Sequence, residues 1–184
     1  MIITTGSLKF RKINSTKNSN IRPTPNKVRQ AIFNILKHKF RMDLWIKQSN
    51  ILDAFAGTGM VGFEALSRGI ANLTIIEKDK KNFGAILQNV KTLNISNKVL
   101  ALNEDFFNVN SLPYKYRLVY LDPPFYKNLI NSSLEKVLDI DILEKNSVIV
   151  CETEKVFDFQ PKEKKNIFFS RVYGAVKLTF LVYT

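Results

Sequence analysis

From residue 50 onwards, short continuous apolar runs alternate with segments in which apolar residues recur every three or four positions. Runs such as residues 73–76 and 118–121 are typical of strands that are buried on both faces of a parallel sheet. The intervening spacings predict helices, marked by Phe63 and Leu66 and then by Phe83, Leu87 and Val90. Strands that alternate with helices predict an α/β fold of the doubly wound type, with a mainly parallel sheet.

The first 41 residues follow a different pattern. Residues 2–5 and 8–13 are strand-like and flank a turn at residues 6–7, which predicts a basic N-terminal hairpin. Further on, Thr24 is a suitable N-cap and Pro25 a suitable first residue of a helix that runs to about His38. The apolar stripe of this helix would be formed by Val28, Ile32, Ile35 and Leu36.

Length and composition limit the class of protein. A chain of 184 residues with 45% hydrophobic content is sufficient for one compact domain, so we expect residues 1–184 to fold as one unit, with a basic extension over residues 1–41 and a core over residues 50–184. No apolar run approaches the roughly 20 residues of a membrane span, and the start lacks the order of a signal peptide, so a cytoplasmic protein is expected. The only cysteine, Cys151, and the only histidine, His38, do not form a metal-binding set, so no metal site is expected.

Positive charge is concentrated at the N-terminus. The formal net charge is +12, and residues 1–41 contain ten lysines and arginines but no Asp or Glu. Clustered cations neutralise phosphates, whereas an ordinary soluble surface mixes both signs. A general bias of the sequence towards lysine is the alternative, but it explains the missing acids poorly. The segment therefore predicts a surface that binds nucleic acid.

An apolar run that ends at Asp53 leads into a glycine-rich turn and then into a helical pattern. Gly57, Gly59 and Gly62 match G-x-G-x-x-G, whose glycines permit a tight turn and close approach to a ligand. One interpretation is a dinucleotide site, in which Glu77 would hold the ribose hydroxyls of NAD. Asp53 favours a different ligand, because a carboxylate just before the turn would repel a pyrophosphate but attract the ammonium and sulfonium charges of S-adenosylmethionine.

Asp122, Pro123, Pro124 and Phe125 close the apolar run at residues 118–121. The prolines make the turn rigid and have no N–H that would compete for the carbonyls. The Asp122 carboxylate and a backbone carbonyl without a competing donor can then accept hydrogen bonds from both N–H groups of one exocyclic amine. This favours a pyramidal nitrogen whose lone pair points towards a methyl donor. Phe125 could stack on the base that carries the amine. A strand end followed by an ordinary Pro-Pro turn is the alternative interpretation.

Four acids, Asp53, Glu77, Asp105 and Asp122, each follow a strand-like run. In open α/β sheets, ligands bind beyond the carboxyl ends of the strands, so we expect these acids on one rim. Asp105 is suited to meet an adenine amine, and a solvated loop acid is the alternative for this residue.

The order of these motifs resembles class I S-adenosylmethionine-dependent methyltransferases. The resemblance becomes narrower at residues 6–12, 21–36, 62–69 and 171–174, which are similar to the bacterial RsmD family of guanine-N2 methyltransferases of small-subunit ribosomal RNA. It also implies a closing antiparallel strand pair at the C-terminus. Phe125 stands where Tyr is commoner in this family, and residues 175–177 replace a more polar stretch.

This resemblance implies the roles of the candidate residues. In it, Asp53 and the glycine turn hold the methionine end of the donor, Glu77 holds the ribose, and Asp105 with Phe106 holds the adenine. The cofactor-binding set is Asp53, Phe55, Gly57, Gly59, Glu77, Asp105 and Phe106. The catalytic set is Asp122, Pro123, Pro124 and Phe125, in which Asp122 and the Pro123 carbonyl bind the amine. The RNA-binding set is Lys9, Arg11, Arg22, Thr24, Arg29, Arg68 and Arg171.

The implied function is transfer of the methyl group of S-adenosylmethionine to guanine N2 in small-subunit (16S) ribosomal RNA, leaving S-adenosylhomocysteine. We expect a monomer that acts on the RNA or on a small-subunit assembly intermediate. An adenine-N6 DNA methyltransferase is the main alternative, because adenine N6 is also an exocyclic amine, although such enzymes usually need extra sequence to read bases. A nicotinamide oxidoreductase would leave Asp122 without a role. An RNA-binding assembly factor without catalysis would leave the acids unexplained.

Overall fold

The computed structural model describes residues 1–16, 24–125, 129–159 and 166–184. The helices are α1 (Asn26–Phe40), α2 (Met60–Ser67), α3 (Lys80–Thr92) and α4 (Leu129–Asp139). The strands are β1 (Asn50–Asp53), β2 (Asn72–Ile76), β3 (Val99–Leu102), β4 (Tyr116–Leu121), β5 (Leu143–Glu154), β6 (Ile167–Tyr173) and β7 (Val176–Tyr183). Within the described ranges, every helix is too short or too polar to cross a membrane.

The seven strands form one sheet in the order β3-β2-β1-β4-β5-β7-β6. The pairs β2–β3, β1–β2, β1–β4 and β4–β5 are parallel. Strand β7 lies between β5 and β6 and is antiparallel to both. This topology confirms the predicted doubly wound, mainly parallel sheet with a C-terminal antiparallel pair. Because the strand order reverses between β1 and β4, a ligand crevice is expected beyond the carboxyl ends of these two strands.

Each face of the sheet packs on its own apolar core. In β1, Ile51 belongs to the core that contains residues of α1, α2 and α3, whereas Leu52 belongs to the core that contains residues of α4. Both side chains are fully buried, which explains why the strands are continuous apolar runs and do not alternate with polar residues. Inside the second core, the Tyr116 hydroxyl donates a hydrogen bond to Thr74 Oγ1 at 2.8 Å, so this buried polar pair is satisfied.

The N-terminal segment folds back on itself in the antiparallel sense that the predicted hairpin requires, but it forms no regular strands. Its two arms meet in one isolated bridge between Ile2 and Lys12. At the turn, Gly6 approaches α2 so closely that a Cβ would lie 1.8 Å from the carbonyl oxygen of Ser67. The turn is therefore shaped by contact with α2, which a local turn rule does not capture.

Helix α1 begins one residue later than predicted. Pro25 occupies the N-cap position, and no side chain caps the helix. The hydroxyl of Thr24 lies instead 3.4 Å from the hydroxyl of Tyr120, so a tertiary contact replaces the predicted cap. The predicted apolar stripe of α1 is buried, but in α3 Leu87 is exposed and Ile86 is buried in its place.

Candidate cofactor and nucleobase site

A cavity of about 390 Å³ lies beyond the carboxyl ends of β1, β2 and β4. Its volume is in the range of sites for small molecules and cofactors. The predicted site residues that line it are Thr24, Phe55, Gly57, Glu77, Asp105, Phe106, Asp122, Pro123, Pro124 and Phe125. The fold thus brings most of the predicted cofactor-binding residues and the whole predicted catalytic set to one cavity.

The glycine turn between β1 and α2 forms one side of the cavity. Gly57 and Gly59 have φ values of 54° and 73°, a left-handed conformation that favours glycine. Gly57 faces the cavity, whereas Gly59 lies behind it, where a Cβ would be 2.9 Å from the ring of Phe63. A Cβ on Gly62 would be 2.7 Å from Leu73 Cδ1. Gly57 therefore opens the turn towards a ligand, Gly59 leaves room for the ring of Phe63 at the start of α2, and Gly62 allows α2 to pack closely on β2.

Glu77 connects the glycine turn with the start of α3. Its Oε2 accepts a hydrogen bond from the Gly57 N–H at 2.7 Å, and its Oε1 accepts one from the Asp79 N–H at 2.7 Å. Asp79 in turn caps α3 by accepting from the Asn82 N–H at 2.9 Å. Burial raises the pKa of Glu77, and the two backbone N–H groups oppose this rise. Because a carboxylate can accept about four hydrogen bonds, Glu77 can hold the turn and also receive ligand hydroxyls.

Asp53 lies directly behind the glycine turn and is not among the residues that line the cavity. Its side chain is fully buried, and its Oδ2 accepts from the Gly62 N–H at 3.2 Å. Its Oδ1 has no hydrogen-bond partner within the part of the chain that the structure describes. Desolvation raises the pKa of Asp53 to about 7; the Gly62 N–H opposes the rise, and the Glu77 carboxylate adds to it. The glycine turn therefore lies between Asp53 and a ligand in the cavity, so Asp53 can act on that ligand only through its electrostatic field and not by direct contact.

A group of aromatic rings forms the end of the cavity beyond β1 and β3. The rings of Phe55 and Phe106 meet edge to face, with centroids 5.5 Å apart. Asp105 begins a short turn, in which its Oδ1 accepts from the Phe107 N–H at 3.1 Å. Its Oδ2 lies 3.3 Å from Lys78 Nζ. The combination of an apolar slot with an adjacent carboxylate suits a flat heterocycle that carries an amine.

The residues after β4 form the opposite side of the cavity. Asp122 and Phe125 are half-buried, Pro123 is buried and Pro124 is exposed. Phe125 also packs against the core that contains α1, α2 and α3, so its ring is held at the cavity by the fold. The carboxylate and the aromatic ring of the predicted amine-binding turn therefore share one cavity with the glycine turn.

Two polar residues of this side, Tyr120 and Glu152, were missed by the sequence analysis. The Tyr120 hydroxyl donates to Glu152 Oε2 at 2.7 Å. Burial raises the pKa of Tyr120 well above its usual value, and the carboxylates of Asp122 and Glu152 add to the rise, so the hydroxyl stays protonated. Glu152 directly follows the apolar run 148–151 of β5, and this position after a strand-like run is the signal that could have identified it.

Two arginines of the predicted RNA-binding set lie in a buried ionic cluster. Arg29 is fully buried, with its Nε 3.7 Å from Glu64 Oε2, and Arg68 Nη2 lies 2.9 Å from Glu64 Oε1. Glu64 also accepts hydrogen bonds from the N–H and the hydroxyl of Thr4. The cluster thus fastens the N-terminal segment to α2. Burial removes Arg29 from the RNA-binding set, and Arg68 is largely occupied within the protein.

Of the other predicted RNA contacts that the structure describes, Thr24 lines the cavity, whereas Lys9, Arg11 and Arg171 do not. Lys9, Arg11 and Arg171 are exposed. Arg11 donates to the carbonyl of Thr92 at 3.2 Å, at the end of α3 farther from the cavity. Helix α3 has 13 residues and is therefore about 20 Å long, so Arg11 is far from the predicted chemistry. Arg22 lies outside the described residues.

Comparison with known proteins assigns the chain to a family. The ribosomal RNA small subunit methyltransferase D of Buchnera aphidicola subsp. Acyrthosiphon pisum is 35% identical over 154 residues, which cover 83% of this chain and 78% of that protein. The sequence profile of the family described as conserved hypothetical protein 95 matches residues 1–182. The chain belongs to this family, the RsmD family. The resemblance found in the motifs is thereby confirmed over nearly the whole chain.

Solved structures share the fold of this RsmD-family chain. The yhhF protein of Escherichia coli superimposes with a TM-score of 0.81 at 25% identity, covering 99% of this chain and 97% of that one. An RNA methyltransferase from Salinibacter ruber, solved in complex with S-adenosyl-L-homocysteine, superimposes with a TM-score of 0.64 at 17% identity, covering 88% of this chain and 93% of that one. This second similarity concerns the fold alone. The RsmD-family chain therefore has the Rossmann-like fold of known methyltransferases.

Proposed function

We propose that this RsmD-family protein transfers the methyl group of S-adenosylmethionine to N2 of a guanine in small-subunit (16S) ribosomal RNA, leaving S-adenosylhomocysteine. The observation that carries the proposal is one cavity that the Gly57 turn and Glu77 line from one side and Asp122 and Phe125 line from the other. A methyl donor and an amine must be held close together and aligned, and a shared cavity provides this. The names of the relatives from Buchnera aphidicola and Haemophilus influenzae support ribosomal RNA as the substrate.

The first side of the cavity fits S-adenosylmethionine, which supplies an electrophilic methyl group on a sulfonium. Glu77 can accept hydrogen bonds from the two ribose hydroxyls. Asp105 can accept from the adenine amine, while Phe55 and Phe106 flank the ring. Asp53, with an unpartnered oxygen among the described residues, adds an ionisable acid behind the turn. Two carboxyl groups near the glycine turn favour a cationic ligand over the pyrophosphate of NAD.

The second side fits the exocyclic amine of a base. The Asp122 carboxylate and the Pro123 carbonyl accept the two N–H bonds of the amine, so that the nitrogen lone pair is directed into the cavity. During methylation the nitrogen gains positive charge, which the Asp122 carboxylate stabilises more strongly than it stabilises the neutral amine. The methylated nitrogen then loses one proton, for which Asp122 is an acceptor. Phe125 stacks on the base and holds its plane during the transfer.

The target base must leave its stack to enter the cavity, at a cost of a few kcal/mol. Phosphate contacts on the protein surface can offset this cost. Lys9, Arg11 and Arg171 are exposed and can make such contacts, whereas Arg29 cannot because it is buried. Since Lys9 and Arg11 lie far from the cavity, they would contact RNA that is distant from the target base, as in a large folded RNA or a subunit assembly intermediate.

A methylation assay with identification of the product tests this proposal. The protein is incubated with labelled S-adenosylmethionine and 16S RNA transcribed in vitro, both free and assembled with small-subunit proteins. Digestion and chromatography then identify the modified nucleoside, for which we expect N2-methylguanosine. Formation of N6-methyladenosine, or absence of transfer despite normal binding of S-adenosylmethionine, would contradict the proposal.

A further inference from the structure

Glu152 occupies a place in the cavity that the chemistry above does not use. Strands β4 and β5 pair in parallel as far as Leu121 opposite Cys151; Asp122 directly follows the end of β4, and Glu152 is the next residue of β5. Neighbouring strands are about 4.8 Å apart, and paired residues of a parallel sheet point to the same face. Glu152 lines the cavity although it is only 4% exposed. Two acids therefore stand side by side at the amine-binding side of the cavity.

The orientation of the Glu152 carboxylate is set by neighbouring hydroxyl groups. The Tyr120 hydroxyl donates to Glu152 Oε2 at 2.7 Å and lies 3.4 Å from Thr24 Oγ1. The bond from Tyr120 fixes one oxygen of the group, and a carboxylate, which can accept about four hydrogen bonds, can take a ligand N–H in addition to partners within the protein. A carboxylate held in a mostly buried position interacts favourably with an N–H donor and unfavourably with a lone pair.

We infer that Glu152 selects guanine by accepting the N1–H of the base whose 2-amino group is bound by Asp122. The inference rests on the proposed function and identifies the residue that sets its base specificity. Guanine presents two neighbouring donors, N1–H and the 2-amino group, which match two neighbouring carboxylates. Adenine presents an N1 lone pair beside its amine, so that one carboxylate would face a lone pair. Repulsion of this kind gives specificity that attraction alone would not give.

The base analogue 2-aminopurine removes the donor at N1. It keeps the 2-amino group of guanine but has a lone pair at N1 in place of the N–H, and it also lacks the O6 oxygen, so a variant of Glu152 is needed to assign a preference to N1. RNAs with guanine or 2-aminopurine at the nucleotide that the wild type modifies are compared in single turnovers at saturating S-adenosylmethionine. For the wild type we expect guanine to react faster by about a hundredfold or more, because a site built around a hydrogen bond rejects an analogue that lacks the partner.

Glu152→Gln is the decisive variant, because its amide can donate to the N1 lone pair of 2-aminopurine. The amide oxygen of Gln can still accept the N1–H but carries no charge, so the weaker hydrogen bond should slow the reaction of guanine about tenfold. The preference for guanine over 2-aminopurine should fall by at least about tenfold in the same variant. A change that affected only folding or donor binding would slow both substrates equally and leave the preference unchanged.

Glu154→Gln is the matched control, since it makes the same chemical change on the same strand at a half-buried residue that does not line the 390 Å³ cavity. It should keep the wild-type preference. Calorimetry with S-adenosylhomocysteine checks that each variant is folded. An unchanged preference in folded Glu152→Gln would overturn the inference.

The wild type alone also tests the inference, even if Glu152→Gln does not fold. Equal rates on guanine and 2-aminopurine would show that no residue reads N1, and would overturn the inference while N2-methylguanosine still formed. Absence of N2-methylguanosine from the guanine substrate would instead overturn the proposed function.

Discussion

Replacement of Asp53 by Asn should remove a dependence of stability on pH that the wild-type fold carries. Burial raises the pKa of Asp53 from 3.8 to about 7 in the folded protein. Between these two pH values the folded state binds more protons than the unfolded state, so the free energy of unfolding falls as the pH rises. This loss of stability is absent below about pH 4 and complete above about pH 7. The difference between 3.8 and about 7 lowers the free energy of unfolding by about 4 kcal/mol in full, of which about 2–3 kcal/mol is lost between pH 5 and pH 8.

Asn is a suitable replacement because it keeps an oxygen for the Gly62 N–H and places an uncharged amide group at the unpartnered position. Thermal and denaturant unfolding of both proteins, followed by circular dichroism at pH 5, 6.5 and 8, measures the effect. The stability of Asp53→Asn relative to wild type should increase by about 2–3 kcal/mol from pH 5 to pH 8, or about 4–12 °C in Tm. Asp43→Asn, at an exposed acid, is the control and should follow the wild type. Equal pH slopes for wild type and Asp53→Asn would refute the reasoning.

Three further predictions concern binding and turnover. Glu77→Ala removes an acceptor for the ribose and for the Gly57 N–H of the glycine turn. The Kd for S-adenosylmethionine, measured by calorimetry, should rise about tenfold or more, and an unchanged Kd in a folded variant would exclude Glu77 as the ribose ligand. Asp122→Ala should lower the single-turnover rate about a hundredfold at near-normal donor affinity, and a near-wild-type rate in this variant would contradict the mechanism. Phe125→Ala should mainly weaken RNA binding, whereas Phe125→Tyr should have almost no effect. Replacing Lys9 and Arg11 with Gln should lower the slope of log K against log salt by about 0.7–0.9 for each lost contact, and an unchanged slope would exclude both residues from the RNA surface.

The positions of the strand-end acids could be predicted because the fold leaves little freedom there. Asp53, Glu77, Asp105 and Asp122 each follow an apolar run, and parallel strands place such positions at one edge. The sequence could not show that Asp53 stays behind the glycine turn. That placement depends on the hydrogen bond from Gly62 at the start of α2, which periodicity does not reveal.

Arg29 shows where reasoning from charge is insufficient. It lies between Val28 and the remaining apolar positions of α1, so it points towards the core, where Glu64 of α2 supplies the opposite charge. The pairing joins residues 35 positions apart, and a local charge pattern contains no information about it. Thr24 is similar, because its predicted role as a cap was lost to a contact with Tyr120 on a distant strand. In both cases tertiary contact overrode a sound local rule.

The position of β7 has a consequence for how the chain is synthesised and folds. Strand β7 follows β6 along the chain but lies between β5 and β6, and it pairs with β5 from Ser147 to Glu154. Until β7 has left the ribosome, the apolar edge of β5 has no partner, and such an edge can pair with other chains. Expression at low temperature or with chaperones should therefore raise the soluble yield, and truncations within β7 should aggregate.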